Sequence, residues 1–169
     1  MNDLPQLLTR IRQGDKAAFE EFYEGMKKPL YTVVLRITRN VQLSEDVLQE
    51  LFVKIYFSPP TNVTSPRAYI YRMAHNLAVD TIRKQREYVE LNESDITLQC
   101  NQNNTLYESG VEKAIMTLPE RERTIVTMRL NGDLKFREIA QILTIPLGTV
   151  LWSYRKAIGK LQTILGDTI

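Results

Sequence analysis

The sequence is short of the residues that most often carry chemistry. It holds one cysteine, Cys100, and one histidine, His75. A single thiol excludes an internal disulfide, and the pair cannot supply a Cys/His zinc site. No Ser/His/Asp or Cys/His constellation offers a nucleophile with its base, and neither a GxGxxG nor a GxxxxGK loop is present to cradle phosphate. Long apolar runs are missing too, since none nears the roughly 18 residues that span a bilayer. The opening Met1-Asn2-Asp3 lacks the charged-then-apolar pattern of a signal peptide. These absences predict a protein without catalytic residues, cofactor or metal, with no membrane insertion and a place in the cytoplasm.

What is present is the composition of a folded chain. With 169 residues, 43% hydrophobic and 25% charged, it can form one medium domain or two small helical ones. The net charge of +2 says little, but its distribution says more. Between Glu87 and Glu112 stand Glu87, Glu90, Glu93, Asp95, Glu108 and Glu112 with no Lys or Arg. Before them lies Arg83-Lys84-Gln85-Arg86, and the tail carries Arg155, Lys156 and Lys160 with no acid until Asp167. Two basic surfaces around an acidic spacer fit bipartite contact with a polyanion. They also fit a pair of solvated helices, and charge alone favours neither.

Apolar spacing reads as helix almost throughout. Leu4, Leu7, Leu8 and Ile11 recur at helical intervals, and Gly14 can end that helix. Asp15 caps a second one, carrying Phe19, Phe22, Tyr23 and Met26; Pro29 inside it predicts a kink before the pattern resumes to about Asn40. Ser44 is the expected cap of a third helix, with Glu45 and Asp46 at its positive end. After the loop Ser58–Thr64, Ser65 caps a fourth helix with Pro66 in its first position, reaching to about Glu87. Residues 89–107, rich in Asn and acid without sustained periodicity, read as a flexible acidic linker. Four further helices are expected near Gly110–Thr117, Glu120–Leu130, Lys135–Leu143 and Leu147–Leu165. The fold predicted is all-α, with a helical bundle over 1–88 and a helix-turn-helix domain over 108–169 on a tether.

Three helix faces stand out once residues are placed at the 3.6 period. In the third helix Val47, Leu48, Leu51, Phe52, Ile55 and Tyr56 form a core stripe, leaving Asp46, Gln49, Glu50, Val53 and Phe57 opposite. An apolar centre with a polar rim suits protein docking; packing on a neighbouring helix explains Val53 and Phe57 equally well. In the fourth helix Ile70, Met73, Ala74, Leu77, Thr81 and Ile82 face inward. Tyr69, Arg72, Asn76, Arg83 and Arg86 gather on the other side, with His75 and Val79 at its margin. Arginine neutralises phosphate, a ring stacks on an unpaired base and Asn bonds base edges; a solvated face is the competing account. From Phe136 to Ala157 the chain reads FREIAQILTIPLGTVLWSYRKA, two amphipathic helices about a short turn. Ile139, Ala140 and Leu143 pack the first, and Val150, Tyr154, Ala157 and Ile158 the second. Thr149, Trp152, Ser153, Lys156 and Lys160 then point outward, as in a recognition helix.

Three stretches together resemble the extracytoplasmic-function sigma factors of the sigma-70 family, in order and at matching spacing. Asp15–Phe57 opens DKAAFEEFYEGMKKPLYTVVLRIT and closes SEDVLQELFVKIYF, similar to regions 2.1 and 2.2. Ser65–Arg86, SPRAYIYRMAHNLAVDTIRKQR, is similar to regions 2.3 and 2.4, and Ile115–Leu161, with LPERERTIVTMRLNGDLKFREIA, to region 4. The resemblance implies that Asp46, Gln49, Glu50, Val53 and Phe57 dock on the clamp helices of the largest subunit of the RNA polymerase core enzyme. It implies that the loop Ser58–Thr64, with Asn62, captures a flipped base of the −10 element, and that Tyr69, Arg72, Asn76, Arg83 and Arg86 hold the melted strand. The final helix would enter the major groove of the −35 element through Thr149, Trp152, Ser153, Arg155, Lys156 and Lys160. Promoter DNA, core polymerase and an anti-sigma factor are the implied partners.

Two departures from the family pattern bear on this reading. After Gly148-Thr149-Val150 the family usually continues Lys/Arg-Ser-Arg, where this chain has Leu151, Trp152 and Ser153. Two customary cationic contacts are absent, which implies an unusual or weaker −35 preference. Thr144 stands where the turn usually has glycine, so a positive φ there would be strained. Two other accounts compete with the sigma reading: a helix-turn-helix regulator that acts without core polymerase, and a sigma-like decoy that sequesters an anti-sigma factor.

Overall fold

The computed structural model describes residues 4–91 and 109–166, and every regular element among them is an α-helix. The chain divides into two compact units, Met1–Thr97 and Leu98–Ile169. The first contains α1 (Leu4–Arg12), α2 (Lys16–Thr38), α3 (Val41–Phe57) and α4 (Pro66–Leu91). The second contains α5 (Gly110–Thr117), α6 (Glu120–Leu130), α7 (Phe136–Leu143) and α8 (Leu147–Gly166). The all-α class read from the sequence is the one observed. Most of the predicted linker, residues 92–107, lies outside the described residues.

In the first unit the predicted apolar stripe of α1 is buried at Leu4, Leu7, Leu8 and Ile11. Gly14 turns the chain with φ +85, and Asp15 caps α2 by accepting from the Ala18 amide at 3.1 Å. That backbone bond, helped by Arg10 at 2.7 Å, holds the Asp15 carboxyl below its ordinary range. Helix α2 continues through Pro29 to Thr38. One missing backbone bond is tolerated there because Met26, Leu30 and Val33 on the inner face are buried.

The corner between α2 and α3 differs from expectation. Arg39 takes the left-handed conformation at φ 54, and Asn40, not Ser44, caps α3 by accepting from the Leu43 amide at 3.0 Å. Asn is as good a cap as Ser, so the helix starts a turn earlier. Ser44 is buried inside that turn, where its hydroxyl donates to the Asn40 carbonyl at 2.6 Å and lies 2.7 Å from the Thr38 hydroxyl.

Helices α2, α3 and α4 all pack against one another, with α1 laid mainly across α2. Phe22, Met26, Leu30, Leu51, Ile55, Ile70 and Tyr71 are fully buried in the first unit. Truncating a ring such as Phe22 to alanine would cost about 3–5 kcal/mol. Tyr71 and Ala78 are buried although the predicted stripe omitted them, whereas Met73, Leu77, Thr81 and Ile82 are only half-buried. The inner face is thus rotated, because small Ala74 and Ala78 admit close approach on the side where Tyr71 fills space. As predicted, Ser65 caps α4, accepting from the Ala68 amide at 3.4 Å with Pro66 next. Helix α4 runs on to Leu91, so residues 89–91, assigned to the linker, are helical. No Gly or Pro interrupts it there, and Arg83 braces it against Asp80 at 3.3 Å and Glu87 at 3.9 Å.

The second unit follows the predicted boundaries within a residue. A capping box, Ser109 with Glu112, opens α5. Helix α6 is enclosed on nearly every side, burying Glu122 through Met128. Its Arg123 guanidinium donates to the carbonyl of Leu118 at 3.0 Å. Helix α8 packs on α5, α6 and α7, and Ala114, Ile115, Leu118, Val126, Ala157 and Leu161 form one core cluster flanked by Tyr154, Ile158 and Leu165. The turn before α8 has Thr144 at φ 55, ψ 43 with its amide bonded to the Ala140 carbonyl. A β-branched residue in that region stores roughly 1–2 kcal/mol of strain.

Candidate functional site

Helix α3 turns Asp46, Gln49, Glu50, Val53 and Phe57 outward together, as its periodicity predicts. Val53 is 49% exposed and Phe57 80%, so neither is buried within the bundle. Tyr56, expected in the core stripe, is exposed instead and joins them. Its ring meets Phe57 edge-on at 5.2 Å and Phe19 of α2 at 4.9 Å, while Tyr23 of α2 tilts against Phe52 at 4.7 Å. The result is an aromatic groove of about 800 Å³ between α2 and α3. Lys27, Tyr31, Glu45 and Gln49 add polar groups to its lining. Burial, reinforced by Glu45, raises the Tyr31 phenol above its ordinary pKa. Sequence reasoning missed the α2 wall, because no single helix's period reveals which helix lies beside it.

On α4 the predicted residues form one exposed strip, Tyr69, Arg72, Asn76, Arg83 and Arg86, and Val79 completes it. From Tyr69 to Arg86 it extends for about 25 Å at 1.5 Å per residue. At the N-terminal end of α4, the loop after α3 encloses a hollow of about 160 Å³. Asn62, in the left-handed region at φ 55, lines it with Thr61, and so do Thr9 and Arg12 of α1, which the sequence did not single out.

Helices α7 and α8 form the predicted helix-turn-helix, held by Phe136 edge-on to Tyr154 at 4.9 Å. Trp152, Arg155 and Lys156 are exposed, and Thr149 is half-buried beside them. Ser153 must be removed from the outer face: it is 1% exposed, because its position falls on the inner side shared by Val150 and Ala157. Lys160 is not a simple surface cation either. Its ammonium donates to Glu122 at 2.7 Å, and that carboxylate lies buried on α6. Lys156 sits 3.9 Å from the same carboxylate and 4.7 Å from the centre of the Trp152 ring. Among the described residues no group of His, Cys, Asp and Glu is placed to hold a metal ion, and no helix is long and apolar enough to cross a membrane.

The two units match two family models, Sigma-70 region 2 over residues 22–88 and Sigma-70 region 4 over residues 114–163. Together these span well over half of the chain. The chain belongs to the sigma-70 family. Within it, the similar proteins include extracytoplasmic-function sigma factors. SigW of Bacillus subtilis is 26% identical over 164 residues, covering 85% of this chain and 86% of that protein. SigK of Mycobacterium tuberculosis is 28% identical over 177 residues, covering 97% and 94%. The fold is shared with RpoE of Bartonella quintana, solved with the anti-sigma factor NepR, at a TM-score of 0.68 and 16% identity over 88% of this chain and 96% of that one. It is also shared with CnrH, solved with the cytosolic domain of CnrY, at a TM-score of 0.62 and 18% identity over 95% and 96%. The protein is an RNA polymerase sigma factor of the extracytoplasmic-function group, and its helix-turn-helix is the DNA-binding element of region 4.

Proposed function

We propose that this sigma factor docks on core polymerase through the α2–α3 groove, opens the −10 element with α4 and the loop before it, and grips the −35 element with α8. The observation that carries the docking assignment is the exposed Val53 and Phe57 pair beside Asp46, Gln49 and Glu50, at the edge of an open aromatic groove. Apolar anchors ringed by charge are the usual energetic centre of an interface, each contributing about 2 kcal/mol or more when truncated. The clamp helices of the largest subunit are the expected occupant.

The −10 assignment rests on the α4 strip and the hollow by Asn62. A displaced strand needs cations for its phosphates and rings or amides for its bases, and Arg72, Arg83 and Arg86 alternate with Tyr69 and Asn76 along one line. Opening is then driven by capture of unpaired bases, with no nucleotide hydrolysis and no catalytic residue. Region 2 is assigned to residues 1–88 and region 4 to 108–169, with α4 carrying helix past the first boundary. Two modest contacts on one chain reinforce each other through effective concentration. The relatives solved with NepR and CnrY support an anti-sigma partner here as well, and work on core polymerase and promoter DNA supports a cytoplasmic location.

The test is run-off transcription with core polymerase on promoter fragments, beside a core-binding assay. The Asp46/Gln49/Glu50 triple alanine variant and Phe57→Asp should each lose core affinity by about 30-fold or more. Asn76→Ala should bind core normally and open promoters poorly. The burial of Ser153 and half-burial of Leu151, positions where the family carries cations, favour one second reading, a decoy that sequesters an anti-sigma factor. Core binding without initiation on any promoter would select it.

A further inference from the structure

Helix α8 contains no acid, and its exposed surface is unusual for a reader of guanine. Through its first two turns, Leu147 to Tyr154, it has no cation at all. These are the turns that a recognition helix inserts deepest. What stands there instead is Trp152, 60% exposed, with Gly148 one turn before it and Gly159 two turns after. A Cβ built on either glycine would meet nothing within 4 Å, so the indole projects from a low strip of backbone. The Lys156 ammonium over its ring at 4.7 Å restrains the indole. The cations that follow are partly committed inside the protein, Lys160 to Glu122 at 2.7 Å and Lys156 to both Glu122 and the ring.

Resting on the assignment of α8 to the −35 element, we propose that Trp152 is the specificity-determining residue of that contact and selects thymine through its 5-methyl group. The chemistry follows from the groove. Arg and Lys read guanine by donating to O6 and N7, and the first two turns of α8 have neither, the nearest being Arg155 and Lys156 in the turn that follows. The apolar face and edge of the indole favour one base-edge group in the major groove, the methyl of thymine. Its single N–H can donate to an acceptor on any purine or on thymine and so discriminates little. Lys156 and Arg155, a turn further on, lie at the flank where phosphates pass and supply attraction without sequence choice. The element read by this factor is therefore thymine-rich at the Trp152 register and tolerant of changes at guanine.

The experiment uses the full chain assembled with core polymerase. Holoenzyme is first shown to form, and then selects from a duplex library randomised across the −35 element. Wild type should enrich thymine at one or two adjacent positions. Replacing those thymines with deoxyuracil removes only the methyl and should weaken binding about fourfold per methyl, by the free energy of burying one such group. Trp152→Ala should bind both duplexes equally, and Trp152→Phe should restore part of the methyl preference. Circular dichroism melts of the variants should match wild type, since the ring is exposed. Enrichment of guanine with no thymine selection, or a methyl effect that persists in Trp152→Ala, overturns the inference while leaving the sigma assignment intact. Failure to assemble with core overturns the assignment, and this inference with it.

Discussion

Arg83 and Lys160 look alike in the sequence, each a cation on a helix assigned to DNA, yet the two units hold them in opposite ways. Arg83 pairs with Asp80 and Glu87 of its own helix, all of them exposed. Such pairs are worth about 0.3–0.5 kcal/mol and exchange readily for a phosphate. Lys160 pairs with Glu122, which comes from another helix and is only 6% exposed. Withdrawing Lys160 would strand a carboxylate in the interior, leaving only the more distant Lys156. A cation at the surface is thus available to DNA in proportion to how cheaply its present partner can be left. The first unit keeps Arg83 ready, and the second uses one of its lysines as structure.

Five changes would break or sharpen that contrast and the packing around it. Lys160→Ala should destabilise the chain by about 1–2 kcal/mol, less than a fully buried pair because Lys160 itself is partly exposed. Arg83→Ala should stay within about 0.5 kcal/mol. Urea unfolding of both variants checks this, and equal losses would dissolve the distinction. Next, Glu122→Gln should release both lysines toward DNA, steepening the slope of log affinity against log salt by about 1–2. Arg83→Ala should make the slope shallower by about 1, measured on holoenzyme with a premelted promoter. A smaller effect is expected at Thr144→Gly, which relieves left-handed strain and should stabilise the chain by about 0.5–1 kcal/mol after the entropy of glycine is subtracted. Smallest is the pH response at Asp15. Its depressed pKa gives stability that is present above the ordinary value of 3.8 and lost as pH falls through the lower folded value. Asp15→Ala should flatten that acid limb.

Much of this was legible beforehand, and the misses share a cause. Asp15, Ser65 and Pro66 announced their helix starts because caps are local chemistry, and Leu4, Leu7, Leu8 and Ile11 announced a buried face because one helix has one period. Ser44 was misplaced because Asn40 offered a competing cap four residues earlier. Tyr71, Ser153 and Tyr56 sat near the edge of an ideal stripe, where a small rotation set by the neighbouring helix decides burial. The groove wall at Phe19 and Tyr23, and the hollow lining at Thr9 and Arg12, depend on which helices adjoin. So does the Lys160–Glu122 pair, whose partners are far apart in the chain. Spacing within a segment carries no record of such neighbours. The outward placement of Asp46, Gln49, Glu50, Val53 and Phe57 on α3 was legible because the apolar pair violated the expected pattern within its own helix.

The corner at Arg39 and Asn40 has a consequence for timing. It joins α2 to α3 with two residues and ties them through Thr38 and Ser44. Contacts between segments so close in sequence form early, because little loop must be closed. Synthesis runs from the N-terminus, so both walls of the groove are made well before α8. The proposed docking groove can therefore take shape on the ribosome before α8 has been synthesised, and a nascent chain then presents exposed aromatics while it still lacks the helix proposed to read the promoter.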